Sequence, residues 1–178
     1  MNVDTEIRPG GLIVKTIIVH TVTYFLMGIL AFTLLDYTAR FSGPILGVYM
    51  RPTDSSLVAG GPLFQPLRGL VFALVFYPLR RPLFTDRRGW LLMWWSLVAL
   101  GILGTFGPAP GSIEGMIYTN LPVSEQVAGW LEVVPQALLL SGILYYWVNH
   151  PEKKWLAWVL GICFTLGIFF SLMGLLLA

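Results

Sequence analysis

Long apolar segments, separated by short stretches rich in polar residues, glycine and proline, make up most of this chain. Five of them have or approach the roughly 20 residues that a helix needs to cross a bilayer core. These segments are residues 12–35, 63–79, 89–106, 126–148 and 155–177. Since little sequence remains outside them, the pattern predicts a single transmembrane domain over residues 1–178, an all-α bundle of five membrane-spanning helices.

Positive charge lies at alternate ends of these segments. Of the 11 Lys and Arg residues, eight fall into three such groups, namely Arg8 and Lys15, then Arg80, Arg81, Arg87 and Arg88, then Lys153 and Lys154. Loops on the cytoplasmic side of a membrane retain Lys and Arg. We therefore expect a cytoplasmic N-terminus, a C-terminus outside, and loops 36–62 and 107–125 facing outward. The expected location is the cytoplasmic (inner) membrane of a prokaryote.

The composition narrows the function classes. A mean hydropathy of +0.76, with 56% hydrophobic and 11% charged residues, excludes an ordinary soluble domain. The net charge of +2 is accounted for by the topology, so we expect no nucleic-acid partner. Cys163 is the only cysteine, which excludes an intramolecular disulfide. No phosphate loop, zinc motif, Ser-His-Asp order or dinucleotide fingerprint is present.

A set of polar side chains interrupts the apolar pattern near the outer side of the predicted bundle. The set comprises Arg68, Gln65, Glu132, Gln136, Asp36, Glu114 and Tyr118. Two pairs in the second and fourth segments share a helix face, at i, i+3 and i, i+4 spacing. Asp36 ends the first segment at the same level, and Glu114 and Tyr118 lie in the loop above. An ionisable group in hydrocarbon costs about 2.5–3.5 kcal/mol on insertion scales, so we expect Arg68 to pair with Glu132.

These residues predict a polar pocket between the second and fourth helices, open to the outside. Arg68 is expected to bind the carboxylate or phosphate of an anionic lipid or amphiphilic small molecule there. Three alternatives stay open. In the first, the ion pair holds the helices together and has no other role. In the second, the protein is an enzyme that acts on a lipid or isoprenoid-like substrate, with Glu132 or Glu114 as acid or base. In the third, it is an accessory subunit of a larger membrane complex.

His20 is a separate candidate, expected nearer the inner half of the membrane than Arg68. It could ligate haem or chlorophyll, or relay a proton. The favoured interpretation is instead that His20 forms a hydrogen bond with a neighbour, Thr16, Thr23 or Tyr24. Because His150 lies in an inner loop, we predict no cofactor and no metal site. The expected partners are membrane lipids, together with a second copy or a larger complex docked on the small residues of the fifth helix.

Overall fold

The computed structural model describes residues 7–177, and every regular element in that range is helical. The elements are α1 (Pro9–Leu34), α2 (Tyr37–Ser42), α3 (Ser56–Ala59), a 3-10 turn (Gly61–Phe64), α4 (Gln65–Phe76), α5 (Arg80–Phe84), α6 (Gly89–Val98), a π-helical turn (Ala99–Leu103), α7 (Ile113–Tyr118), α8 (Val123–Ala128), α9 (Trp130–Asn149) and α10 (Lys154–Leu177). Residues 1–6 and 178, and with them the predicted positions of the two chain ends, lie outside the described residues.

The chain is an all-helical membrane protein. Three helical stretches in the described range are long and apolar enough to cross a bilayer, namely Pro9–Leu34, Val123–Asn149 and Lys154–Leu177. Two further apolar helices, Gly61–Phe76 and Gly89–Leu103, are shorter. Each of the five apolar segments of the sequence thus forms a helix with ends within three residues of the predicted ones. A bundle of five crossings remains a prediction.

Helix α1 is the centre of the bundle and packs against α4, α9 and α10, while α6 packs against α9. Leu12 and Val19 of α1 join Leu140 and Leu144 of α9 in the buried core. The approach of α4 to α1 is closest at Gly69, where an added Cβ would stand 2.8 Å from the Ile17 Cα. Glycine is therefore the residue that sets the spacing of these two helices.

The groups of basic residues meet at one end of the bundle. Lys15 donates from Nζ to the carbonyl of Trp147, 2.9 Å away in the last turns of α9. The Tyr145 hydroxyl donates to the carbonyl of Asp86 at 3.0 Å, which joins α9 to the loop after α5. Lys15 is half-buried, because its side chain lies against the last turn of α9.

The opposite end carries the two long loops. In the first, Gly60 lies against Leu175 and Ala59 lies against Gly174, so loop and α3 pack on the last turns of α10. In the second, the Gln126 side chain accepts from the Gly111 N–H at 3.2 Å and donates to the Leu121 carbonyl at 2.8 Å. This loop is thereby folded back onto the start of α8 and α9.

Candidate ligand site

A cavity of about 220 Å³ lies between α1, α4, α6 and α9, beneath the second of these loops. Helices α1 and α4 contribute His20, Arg68 and Phe72, and α9 contributes Val133, Gln136, Ala137 and Leu140. The remaining wall comes from the end of the third segment and the loop after it, through Leu97, Gly101, Ile102, Thr105, Ala109 and Pro110. The wall is thus mostly apolar and includes four polar residues, His20, Arg68, Thr105 and Gln136.

Two local features shape this chamber. In the π-helical turn at the end of α6, the Gly104 N–H donates to the Ala99 carbonyl at 2.7 Å, and the widened turn brings Gly101 and Ile102 to the cavity wall. Single π turns of this kind are frequent at functional sites. Above them, the Ser112 hydroxyl donates to the Ala109 carbonyl at 2.7 Å and fixes the loop that roofs the cavity.

That roof depends on one glycine with a left-handed backbone. Gly111 has φ +83°, and a Cβ there would stand 2.8 Å from the indole nitrogen of Trp130. The same indole N–H donates to the Gly111 carbonyl at 3.0 Å. A residue with a side chain is strained at this φ and also lacks the space, so glycine is required to hold the roof against α9.

Arg68 stands at the cavity mouth, since it both lines the cavity and is exposed. Its Cζ lies 5.5 Å from the centroid of the Phe72 ring. Within residues 7–177 no carboxylate oxygen lies within 4.0 Å of the Arg68 guanidinium, so the expected ion pair with Glu132 is wrong. The guanidinium is left with its donors available to an occupant of the cavity.

Glu132 instead accepts a hydrogen bond from the Tyr37 hydroxyl. Beside it, Arg40 of the same short helix forms an ion pair with Glu125 of α8. Burial, and then the Glu132 carboxylate, raise the pKa of the Tyr37 phenol, which therefore stays protonated as the donor. Helix α2 thus binds both acidic side chains at the start of α8 and α9, Glu125 by an ion pair and Glu132 by a hydrogen bond, and Glu132 does not line the cavity.

Glu132 pairs with Tyr37 rather than with Arg68 because the chain turns at Asp36. This residue has φ +45°, an uncommon left-handed conformation for a non-glycine residue, and its carboxylate accepts from the Ala39 N–H to cap α2. The chain therefore turns sharply after α1 and lays Tyr37 and Arg40 on α8 and α9. An apolar segment that simply ends at Asp36 carries no periodic signal for such a turn.

Gln136 is the second polar group in the cavity. It is 8% exposed, and within residues 7–177 its amide makes no side-chain hydrogen bond, although it lines the chamber. Glu132 and Gln136 were expected to share a face and a function through their i, i+4 spacing. The structure separates them, with Gln136 in the cavity and Glu132 against Tyr37. An amide that lines a cavity and makes no side-chain hydrogen bond within the described residues is available for a ligand contact.

His20 and Gln65 form a pair next to the cavity. The ring nitrogen Nε2 of His20 lies 3.1 Å from Oε1 of Gln65, and both side chains are buried. The expected depth of His20 is therefore wrong, since it lies at the level of Gln65 and lines the same cavity as Arg68. As expected, the His20 side chain makes a hydrogen bond inside the bundle, but its partner is Gln65, because the hydroxyls of Thr16 and Thr23 donate to backbone carbonyls of α1, that of His20 included.

The remaining predicted site residues lie away from the cavity. Asp36 is exposed and caps α2, as described above. Glu114 and Tyr118 are exposed residues of α7, on the outer surface of the second loop. Sequence reasoning missed the π turn, although the series Gly101, Gly104 and Gly107 at the end of an apolar segment was a signal for irregular backbone.

Neither a metal centre nor a known relative helps to define the site. Among residues 7–177 no group of three or more His, Cys, Asp or Glu side chains gathers where a metal ion would be held. No protein-family model, curated protein or solved structure matches this chain. The assignment of function therefore rests on the chemistry of the cavity.

Proposed function

We propose that this chain is a polytopic membrane protein that binds the anionic headgroup of a lipid or a similar amphiphile in the cavity between α1, α4, α6 and α9. The observation that carries the proposal is the position of the Arg68 guanidinium at the cavity mouth, where no carboxylate of the described residues pairs with it. The amide of Gln136 lines the same cavity. A guanidinium binds carboxylate or phosphate with two parallel hydrogen bonds, and an amide complements it with a donor or an acceptor.

The size of the chamber supports a headgroup as the occupant. Its volume of about 220 Å³ is below the about 300–1,000 Å³ of pockets for drug-sized ligands. We therefore place the headgroup in the cavity and the chains of the amphiphile along the exposed apolar surface of the helices.

The proposed topology has five crossings, with the N-terminus in the cytoplasm and the C-terminus outside. Its support is the meeting of the basic groups at one end of the bundle, through the contacts of Lys15 with Trp147 and of Tyr145 with Asp86. The cavity then opens toward the outer leaflet. We further propose the cytoplasmic membrane of a prokaryote as the location, and the exposed apolar face of α10 as the surface for any second copy or larger complex.

Lipid binding to the purified full-length chain, followed by native mass spectrometry, tests the proposal. We expect phosphatidylglycerol to bind better than phosphatidylcholine, and Arg68→Gln to weaken phosphatidylglycerol binding at least about tenfold, as expected for one lost charge-assisted contact. Arg51→Gln is the matched control because it removes the same charge from an exposed site on the same side of the protein. It should change the affinity by less than about twofold.

A second variant separates the cavity from the charge. An added Cβ at Gly101 meets no atom within 4 Å, so Gly101→Leu is expected to occupy part of the chamber without strain while Arg68 remains. This variant should also lose phosphatidylglycerol binding and keep its thermal stability. Wild-type affinity in both Arg68→Gln and Gly101→Leu would contradict the proposed site.

The enzymatic alternative has weaker support. Its two candidate acids are Glu132, which is engaged by Tyr37, and Glu114, which is exposed on α7. Neither carboxylate lines the cavity. A general acid or base must reach its substrate within hydrogen-bond distance, so binding without catalysis is the better-supported function.

A further inference from the structure

His20 lines the cavity and has one ring nitrogen without a partner. The side chain is 1% exposed, and within residues 7–177 its Nδ1 is buried and makes no hydrogen bond. Its other nitrogen, Nε2, is turned to Gln65, which is not part of the cavity lining. Buried polar atoms are rarely left unpaired, so a group inside the cavity is the natural partner for Nδ1.

The orientation of Gln65 determines what that partner must be. The Gln65 Nε2 donates to the Gly61 carbonyl at 3.4 Å, which leaves Oε1 of the same amide facing His20 Nε2. An amide oxygen only accepts hydrogen bonds, so Nε2 of the histidine carries the proton. In the neutral ring Nδ1 is then an acceptor, and it requires a donor from the occupant.

Arg68 and His20 both lie against the ring of Phe72. The Phe72 ring meets the His20 ring edge-on with 4.9 Å between centroids, and the Arg68 Cζ lies 5.5 Å from the same Phe72 centroid. The two polar groups therefore flank one aromatic ring of the cavity wall. An occupant that satisfies both carries an anion at one end and a hydrogen-bond donor a few bonds away.

We propose that the ligand is an oxyanion with a neighbouring hydroxyl, whose anion binds Arg68 and whose hydroxyl donates to Nδ1 of His20. This inference rests on the proposed function and names the ligand class of the same site. A phosphodiester with a glycerol headgroup has this chemistry, either as phosphatidylglycerol in the bilayer or as the free glycerol phosphodiester. The Gln136 amide does not discriminate between such ligands, since it both donates and accepts.

The test compares two lipids that differ only in the hydroxyls. Phosphatidylglycerol and phosphatidylpropanol with identical chains carry the same single negative charge and the same three-carbon headgroup, and only the first has a hydroxyl to donate. Equimolar competition for the full-length chain, measured by native mass spectrometry, should favour phosphatidylglycerol about fivefold in the wild type, the effect of one neutral hydrogen bond. His150→Leu, at the other histidine, is the matched control and should keep the preference.

Two conservative variants locate the preference at Nδ1 while retaining a polar, folded core. His20→Asn places an amide oxygen near the Nδ1 position and should keep most of the preference. His20→Gln reaches the Nε2 position instead, so it should keep the contact with Gln65 and bind both lipids equally. Adding glycerophosphoglycerol distinguishes the free phosphodiester from the lipid as the ligand. If it displaces the lipid, the free phosphodiester is sufficient for binding, and if it does not, the lipid form is required.

The outcomes separate this inference from the proposed function. Equal binding of the two lipids by the wild type, with both still dependent on Arg68, would overturn the hydroxyl assignment and leave the anion site standing. A preference that survives in His20→Gln would place the hydroxyl contact elsewhere and overturn the role of His20. If neither lipid depends on Arg68, the proposed function and this inference both fail.

Discussion

Lys15 is held inside the bundle by the last turns of α9. Its Nζ donates to the Trp147 carbonyl at 2.9 Å and lies 5.4 Å from the centroid of that tryptophan's ring. A cation at the C-terminal end of a helix bonds carbonyls that have no donor within the helix, and it is also favoured by the helix dipole. Arg68, in contrast to Lys15, is exposed, and no carboxylate of the described residues lies within 4.0 Å of it.

We therefore predict that Lys15→Ala destabilises the protein more than Arg68→Ala. The first change should cost about 1.5–3 kcal/mol, as for a hydrogen bond to a charged group, and the second about 0.5 kcal/mol or less. Lys15→Met is the control that keeps the apolar stem and loses only the charge. Thermal unfolding in detergent measures all three variants, and equal losses at the two sites would contradict the contact with Trp147.

Gly69 sets the distance between α1 and α4, and with it the position of Arg68 and Phe72 one turn or less away. Gly69→Ala should lower the free energy of unfolding by about 1–3 kcal/mol, because the new Cβ would stand 2.8 Å from backbone that has to move. Gly142→Ala in α9 is the matched control, since a Cβ there meets no atom within 4 Å. A chemical denaturation series that finds the two variants equally stable would argue against close packing at Gly69.

At the scale of elements, the lengths of the apolar segments predicted the five apolar helices, of which three are long enough to cross a bilayer, but not how they face each other. Helices that are apolar on all sides carry no stripe from which their rotation can be read. Gln65 and Arg68 lie on one helix, as expected, yet Gln65 bonds His20 and Arg68 stands at the cavity mouth. The partner of Glu132 was missed because it lies on α2, a six-residue helix that starts at a left-handed Asp36.

The loop that roofs the cavity is held in place largely by one side chain, that of Gln126. Gln126 bonds the Gly111 N–H and the carbonyls of Gly115 and Leu121 while it is itself 2% exposed. Removing its amide leaves these buried backbone groups without partners.

Gln126→Leu is accordingly predicted to open the roof without unfolding the long helices. Amide hydrogen exchange over residues 107–121 should rise about tenfold or more, because each unsatisfied buried group costs about 1–3 kcal/mol. Asn120→Ala serves as the control, as an exposed polar residue of the same loop. Unchanged protection of the loop in Gln126→Leu would mean that other contacts hold it.

At the scale of the whole molecule, the distribution of charge is the basis of the proposed topology. Eight basic residues belong to the end where Lys15 meets Trp147, Arg40 and Arg51 belong to the other, and Arg68 lies between. The positive-inside rule assigns the first end to the cytoplasm. The helix bounds followed from the sequence, whereas the side of the membrane requires an experiment because hydropathy is the same in both orientations.

Single cysteines on either side, in a Cys163→Ser background, test this topology. We predict that Asp54→Cys reacts with a membrane-impermeant maleimide in intact cells and that Asp86→Cys reacts only after the cells are opened. Both residues are exposed, so access to the reagent depends on the side of the membrane rather than on burial. Labelling of Asp86→Cys from outside would reverse the orientation, and with it the leaflet from which the cavity is reached.

The central claim is that the guanidinium of Arg68 binds the anionic group of a ligand, and a direct contact measurement tests it best. With ¹³C at the arginine Cζ positions and phosphatidylglycerol bilayers, ¹³C–³¹P dephasing in solid-state NMR reports which guanidinium groups touch a phosphate. We predict a strongly dephased Cζ resonance that is missing from Arg68→Gln and remains in Arg51→Gln. The same dephased resonances in wild type and Arg68→Gln would show that no phosphate sits on Arg68, and would contradict the proposed site.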